Sequence, residues 1–241
     1  MKPIKSVIVA FNYADFPDKK KQKRQEIAID VLRNSPKNIY PVAYTFQGDK
    51  VEIDGIDSRD VLTKNSALTI GNNRALPYVK EIIDLCYNQS YYIADSNKMN
   101  YPKVIGLINS DILLGESFYT SIQSDADAFV FSRNDIADVT TEDFLNGKQH
   151  IIYGGDTHAG ADGFFFNRKW WKKNRGLFPN DLILGETEWD TVYRAIIRKY
   201  ADVHLENRVL YHVYHDQKWD LISPGAKNNI AIWNKIKEEC K

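Results

Sequence analysis

Short apolar runs, separated by polar stretches rich in turn residues, divide the chain into segments of alternating character. Residues 6–11 (Ser-Val-Ile-Val-Ala-Phe) are β-branched and apolar without alternation, the pattern of a strand buried on both faces and hence of a central parallel strand. After a polar turn through Asp15, Pro17 and Asp18, the stretch 19–33 places Ile27, Val31 and Leu32 among charges at helical spacing, and 39–46 reads as a second strand. Residues 47–70 give mixed indications, with Gly48, Asp54-Gly55 and Asp57 marking turns. A helix is predicted over 76–87, with Val79, Ile82, Ile83 and Cys86 on one face and Pro77 in its first turn. The buried run 103–109 stops abruptly at Asn109-Ser110-Asp111. A short helix over 117–123 and strands over 128–131 and 163–166 follow. Residues 188–200 predict a helix with Val192, Ala195, Ile196 and Tyr200 inward, 203–214 alternates like a strand, and 230–240 is a terminal helix. The expected class is α/β, a single domain over 1–241 with a Rossmann-like, mostly parallel central sheet flanked by helices. Alternation is regular in the first half and irregular in the second, which suggests a nucleotide-binding half (about 1–115) joined to a mixed, acceptor-side half (about 116–241).

Composition narrows the classes. The 241 residues include 32 basic and 32 acidic side chains, 43% hydrophobic and 27% charged residues, close to the soluble average, which sets aside disordered and coiled-coil readings. Zero net charge argues against a protein that grips polyanions through a general basic field. Cys86 and Cys240 stand far apart and outside any CxxC spacing, so neither a disulfide framework nor a thiolate zinc site is expected. No apolar run approaches ~18 residues, and the first residues lack a signal-peptide core, so a cytoplasmic protein without stable membrane insertion is expected.

Four constellations carry candidate chemistry. Asn109-Ser110-Asp111 closes a buried strand at the carboxyl end, where open α/β sheets place ligands; a carboxylate there could bind Mg²⁺ or Mn²⁺ shared with a diphosphate, or simply cap a turn. Gly185-Glu-Thr-Glu-Trp-Asp190 crowds Glu186, Glu188 and Asp190 at a helix entrance, either as capping residues or as mutually repelling carboxylates with the raised pKa of a general base. His212-Val-Tyr-His215-Asp216 ends a strand. Imidazole suits Mn²⁺ or Zn²⁺, but two histidines three apart on a strand point to different faces, so one of them is expected to reach a given site. The glycine-rich stretch 154–162 brings Asp156 and Asp162, which could hydrogen-bond hydroxyls, ahead of Gly163-Phe-Phe-Phe166.

Taken in order, Asn109-Ser110-Asp111, Ala161-Asp162-Gly163-Phe164-Phe165-Phe166, Gly185 to Asp190 with Arg194, and His212 to Asp216 resemble GT-A fold glycosyltransferases, and the resemblance runs from Ser6 to about Asp220. The second half is similar to short glycosyltransferase-like proteins related to the family-2 type. The resemblance implies a nucleotide-diphospho-sugar donor and Mn²⁺ or Mg²⁺ held by a DxD-like motif. That motif reads Asn-Ser-Asp here, so Asp111 alone carries over as a charged ligand, joined by His215 or His212. It further implies Glu188 as the general base, with Glu186 a rival and Asp190 the second acidic position. Asp162 would orient the sugar, Arg74 would neutralise the diphosphate, and in-line attack would invert the anomeric centre. Asn109 lies beside the donor. Phe11, Tyr13 and Asp15 follow the first strand where the base and ribose sit, Tyr13 for stacking and Asp15 as acceptor.

Two basic segments, 19–24 and 168–173, read as solvated helix surface or, with Trp170 and Trp171 in the second, as a surface that stacks on a sugar or nucleobase. A saccharide, a lipid-linked saccharide and a modified nucleic acid are all open as acceptors. Two competing classes remain. A sugar nucleotidyltransferase shares this kind of sheet but carries a Gly-rich loop with a Lys where this chain reads Phe11-Asn-Tyr-Ala-Asp15. A catalytically silent binding module would fit the reduced DxD.

Overall fold

The structure is a computed structural model that describes residues 5–97, 101–153, 160–215 and 220–240. The first apolar run becomes β1 (Val7–Asn12), paired in parallel with β2 (Ile39–Phe46) on one side and β4 (Val104–Ile108) on the other. Val7 to Ala10 have no exposed surface, as the absence of polar alternation implied. β3 (Asp57–Leu62) extends this parallel group beyond β2. The remaining strands are β5 (Ile112–Leu114), β6 (Ala128–Ile136), β7 (Ile151–Tyr153), β8 (Gly163–Asn167) and β9 (Val203–Val213). All belong to one sheet in the order β3-β2-β1-β4-β8-β6-β9-β5, with β7 attached to β6. β8 runs antiparallel to β4 and β6, β6 and β9 are parallel, and β5 is antiparallel to β9. The second half of the sheet is therefore mixed, as the irregular pattern suggested.

Helices cover both faces. α3 (Val79–Asn97), α6 (Arg168–Asn174), α7 (Trp189–Tyr200) and α8 (Pro224–Glu239) pack on one core through Ile82, Ile83, Trp171, Val192, Tyr193 and Ile232. α1 (Lys19–Arg33) and α4 (Glu116–Ser121) close the other through Ile29, Leu32 and Phe118. α2 (Ser66–Ile70) and α5 (Thr141–Leu145) are single-turn connectors. Gly106 in β4 permits the close approach of β8, because a Cβ there would lie 2.2 Å from the Phe165 ring.

Several boundaries differ from the sequence pattern for identifiable reasons. Pro77 lies before α3, since Tyr78 bridges Ile183 and the Val79 N–H donates to the Leu182 carbonyl. The helix runs on past Tyr87, where polar residues are buried and bonded: Ser90 Oγ donates to the Tyr87 carbonyl and Gln89 Nε2 to Asp57. β3 went unseen because a charged edge strand lacks an apolar run. In α7 the inward face includes Tyr193 and Ile197, whereas Tyr200 at the last turn is 44% exposed. α8 starts six positions earlier than expected, capped by Ser223 Oγ with Pro224 in its first turn.

Candidate functional site

A row of polar side chains crosses five adjacent strands at one edge of the sheet, in the order β4, β8, β6, β9, β5. Asn109 follows β4, Asp162 precedes β8, Arg133 and Asp135 lie on β6, His212 lies on β9, and Asp111 precedes β5. Strand direction explains the gathering: β4, β6 and β9 end here, while the antiparallel β8 and β5 begin here. His212 is the register partner of Asp135 on one side and of Ile112, the residue after Asp111, on the other.

Hydrogen bonds link the row from Asn109 to His212. Asn109 Nδ2 donates to Asp162 Oδ1 at 3.0 Å, and Arg133 Nη1 donates to the same oxygen at 2.9 Å. Arg133 Nε donates to Asp135 Oδ1 at 3.1 Å, and that oxygen lies 2.8 Å from His212 Nδ1. His212 Nε2 is buried 3.3 Å from Asp111 Oδ2 and makes no hydrogen bond among the described residues. His215 Nε2 stands 3.7 Å from the same carboxylate oxygen, and the two imidazole rings are 4.9 Å apart. One ligand atom each from Asp111, His212 and His215 lies within 4.8 Å of the others, a grouping that could hold a metal ion.

Both histidines therefore reach Asp111, where strand alternation allowed one. β9 ends at Val213, so His215 lies past the last pleat and is not bound to the opposite face.

Electrostatics follow the packing. Burial by itself would raise the Asp111 carboxyl, but the closeness of His212 and His215, with Arg133 nearby, holds it far below the usual aspartate range. Burial disfavours charged His212, yet Asp111 and Asp135 together raise its pKa above the ordinary histidine value. Arg133 is driven down by burial and more than restored by Asp162, Asp135 and Asp111, so it stays charged.

Asp190, the second residue of α7, accepts from the Ala161 N–H at 3.0 Å, which places it beside Asp162. Burial, reinforced by the charge of Asp162, raises its pKa. Glu188 precedes α7 with a left-handed backbone (φ 66°) that a side-chain-bearing residue rarely adopts, and it supplies no capping hydrogen bond.

Glu186 is a different kind of acid. It is 3% exposed; Oε1 accepts from Asn72 Nδ2 and Arg74 Nη2, both at 3.2 Å, and Oε2 accepts from Ser223 Oγ at 3.2 Å. With donors on both oxygens, this carboxylate joins the α2 turn to the start of α8, whereas the sequence offered it as a rival to Glu188. Arg74, expected to face a diphosphate, is anchored to Glu186 and to the Gly185 carbonyl, with 58% of its side chain exposed.

At the carboxyl end of β1, Phe11 is 1% exposed and packs in the core, so its side chain offers a ligand no surface. Tyr13 is half-buried, with its hydroxyl donating to Asp15 at 2.9 Å and accepting from Gln22 Nε2. Trp170 and Trp171 are likewise core residues against Phe166 and Phe178, not a stacking surface, and Trp171 Nε1 donates to Asp84. Asp156 and Asp216 lie outside the described residues.

Arg133 and Asp135 went unnoticed in the sequence. The detectable trace is that the segment Ala128 to Ile136 continues through Ser-Arg-Asn-Asp without a glycine or proline.

No family model matches the chain, and no curated protein matches it. Among solved structures it is similar to TarS of S. aureus (residues 1–349) at 8% identity and a TM-score of 0.50, covering 86% of this chain and 60% of that one. It is also similar to the glycosyltransferase GlyE of Streptococcus pneumoniae TIGR4 (10% identity, 98% and 63% coverage, TM-score 0.38). A third is the inositol-1-phosphate CTP transferase from T. maritima (13% identity, 97% and 98% coverage, TM-score 0.39). The chain thus spans about 60% of the TarS fragment's length. At such identities the likeness is one of architecture, and with the sheet order above it gives the chain a GT-A-like, Rossmann-type α/β fold.

Proposed function

We propose that this chain moves a sugar from a nucleotide-diphospho-sugar to an acceptor hydroxyl, with inversion, and that Asp111, His212 and His215 hold a divalent cation for that reaction. The observation that carries the reading is the buried His212 Nε2. If Nδ1 donates its proton to Asp135, Nε2 presents a lone pair toward Asp111, and two acceptors face each other at 3.3 Å. A cation between them resolves the conflict, and a carboxylate behind the imidazole is the usual support for a metal-bound histidine.

Charge agrees with this. Asp111, Asp135 and Asp162 all act on Arg133, so among the described residues three carboxylates gather around one guanidinium. Two imidazoles beside one carboxylate suit Mn²⁺ better than Mg²⁺, whose preference is for oxygen. When bound, the ion would supply Lewis-acid neutralisation of charge on the diphosphate leaving group.

The chain's own residues define the rest. Strand order reverses between β1 and β4, and ligands of open α/β sheets bind in the crevice at such a switch point. Tyr13 and Asp15 follow β1 there, and Asn109 follows β4. Asp162, fixed by Asn109 and Arg133, would orient sugar hydroxyls. Arg74 keeps an exposed edge that could meet the diphosphate. Asp190 is the better base than Glu188: its carboxyl sits beside Asp162 with a raised pKa, whereas Glu188 makes no side-chain hydrogen bond among the described residues. A base of this kind takes the acceptor hydroxyl proton as the sugar is attacked.

A thermal-shift screen of nucleoside diphosphates and nucleotide sugars, each with and without Mn²⁺, tests the reading. A ligand at 100-fold its dissociation constant adds about 2.7 kcal/mol of stability, so the donor should raise Tm, and do so in a cation-dependent way. No shift with any nucleotide would sink the proposal. Release of pyrophosphate from a nucleoside triphosphate and a sugar phosphate would replace it with nucleotidyl transfer.

A further inference from the structure

β6 is buried along its whole length, yet it carries a guanidinium in its middle. The Arg133 side chain is 6% exposed and spans two carboxylates that belong to different parts of the site. Nη1 holds the Asp162 oxygen that Asn109 also holds; Nε holds the Asp135 oxygen that faces His212 Nδ1. Arg133 and Asp135 are two apart and so share a face of the strand. The register with β9 shifts just before Arg133, where Ser132 Oγ and Asn134 Nδ2 bond the backbone of Arg208 (φ 66°). A bulge of this kind re-aims the side chains beside it. Stability alone is a poor reason for such a buried triad, because well-packed apolar residues often serve as well or better.

We infer that Arg133 is a positioning residue that couples the cation ligands to the carboxylate on the sugar side. Through Asp135 it fixes the orientation and tautomer of His212, so that Nε2 points at Asp111. Through the second arm of the same guanidinium it fixes Asp162. The two arms are rigidly joined, so a displacement of one carboxylate is felt by the other. Coupling of this form is reciprocal: a cation at Asp111 would favour a hydroxylated ligand at Asp162, and the reverse. The inference rests on the cation reading of the preceding section.

The test is Mn²⁺ binding to the purified chain, read by titration calorimetry or by the loss of free-ion electron paramagnetic resonance signal, in wild type, Arg133→Lys, Asp162→Asn and the double variant. Lysine keeps the charge but not the fork. Arg133→Lys should therefore stay folded by circular dichroism and bind Mn²⁺ about 10–100-fold more weakly, as loss of a ligand's supporting partner does. Asp162→Asn should weaken Mn²⁺ binding severalfold although Asp162 is no ligand, and should add nothing in the Arg133→Lys background. Simple loss of a negative charge would act equally in both backgrounds, so the cycle separates coupling from bulk electrostatics. Additive effects, or wild-type affinity in a folded Arg133→Lys chain, would overturn the inference alone. A wild-type chain that binds no Mn²⁺ overturns the cation reading and the inference with it. Should Arg133→Lys fail to fold, Asp135→Asn, which leaves the guanidinium in place, is expected to give the same 10–100-fold loss, and unchanged affinity there counts against the inference.

Discussion

Glu186 and Asp111 are both acids drawn partly or wholly out of water, and their surroundings differ in kind. Around Glu186 every near neighbour donates: Asn72, Arg74 and Ser223 satisfy both oxygens, and Arg74 supplies one balancing charge. Around Asp111 the neighbours are imidazoles whose facing nitrogens can themselves be acceptors, and among the described residues Asp111, Asp135 and Asp162 share the charge of Arg133. Burying a charge is tolerated when partners neutralise it within the protein, as at Glu186. At Asp111 the proposed cation would supply that neutralisation. Two glutamates or aspartates in one chain can thus look alike in sequence and yet be one a fastening and the other a ligand.

Variants can break this contrast. Asp111→Asn should abolish measurable Mn²⁺ binding and with it the cation-dependent part of donor binding, followed by calorimetry; wild-type affinity would remove Asp111 from the ion site. Asp190→Asn should lower turnover by roughly 10²–10⁴ while sparing donor affinity, a loss confined to kcat in steady-state kinetics. If Glu188→Gln shows that loss and Asp190→Asn does not, the base belongs to Glu188.

Glu186→Gln should leave Mn²⁺ affinity unchanged and cost about 1–3 kcal/mol of stability in urea unfolding, because an amide cannot accept from all three donors. A fall in Mn²⁺ affinity instead would show that the two centres are not independent. Arg74→Ala leaves the buried Glu186 carboxylate without its balancing charge and should likewise destabilise the chain, by about 1–3 kcal/mol. A marked rise in KM for the donor that Glu186→Gln does not share would mark Arg74 as a diphosphate contact.

Asp190 adds a pH dependence with opposite signs for activity and stability. Its folded pKa is raised, so the base is protonated, and kcat/KM falls, as pH drops through a value above the usual aspartate range. For stability the buried carboxyl contributes nothing below its unfolded pKa and an unfavourable amount that grows as pH rises to the folded pKa. In Asp190→Asn both the acid limb of the rate profile and this loss should disappear.

Much of the sheet was legible because its strands are apolar runs: β1, β2, β4 and β8 stand where β-branched and aromatic residues cluster. β3 was not, since its Asp57-Ser-Arg-Asp segment lies on an edge and has no inner face to fill on both sides. In the site, Asp111, Asp162, His212 and His215 were visible as polar residues that interrupt or end apolar strands. Arg133 and Asp135 were not, because one buried ion pair inside a strand looks in sequence like the strand's end. Glu186, Phe11 and the two tryptophans drew attention for the converse reason: a carboxylate or an aromatic ring beside a candidate motif reads as functional until its neighbours are known.

Local pattern decides which residues form strands and helices, since that depends on spacing within a few positions and on how apolar surface is removed from water. It also shows which side chains can bind protons or ions. Whether a given carboxylate is saturated or left facing an acceptor depends on residues 53 or 101 positions away, as Asn109 is from Asp162 and His212 from Asp111. Those distances are closed by antiparallel strands β8 and β5, which start where β4, β6 and β9 stop. Strand order and direction therefore assemble the charged row, and no local spacing along the chain contains that information.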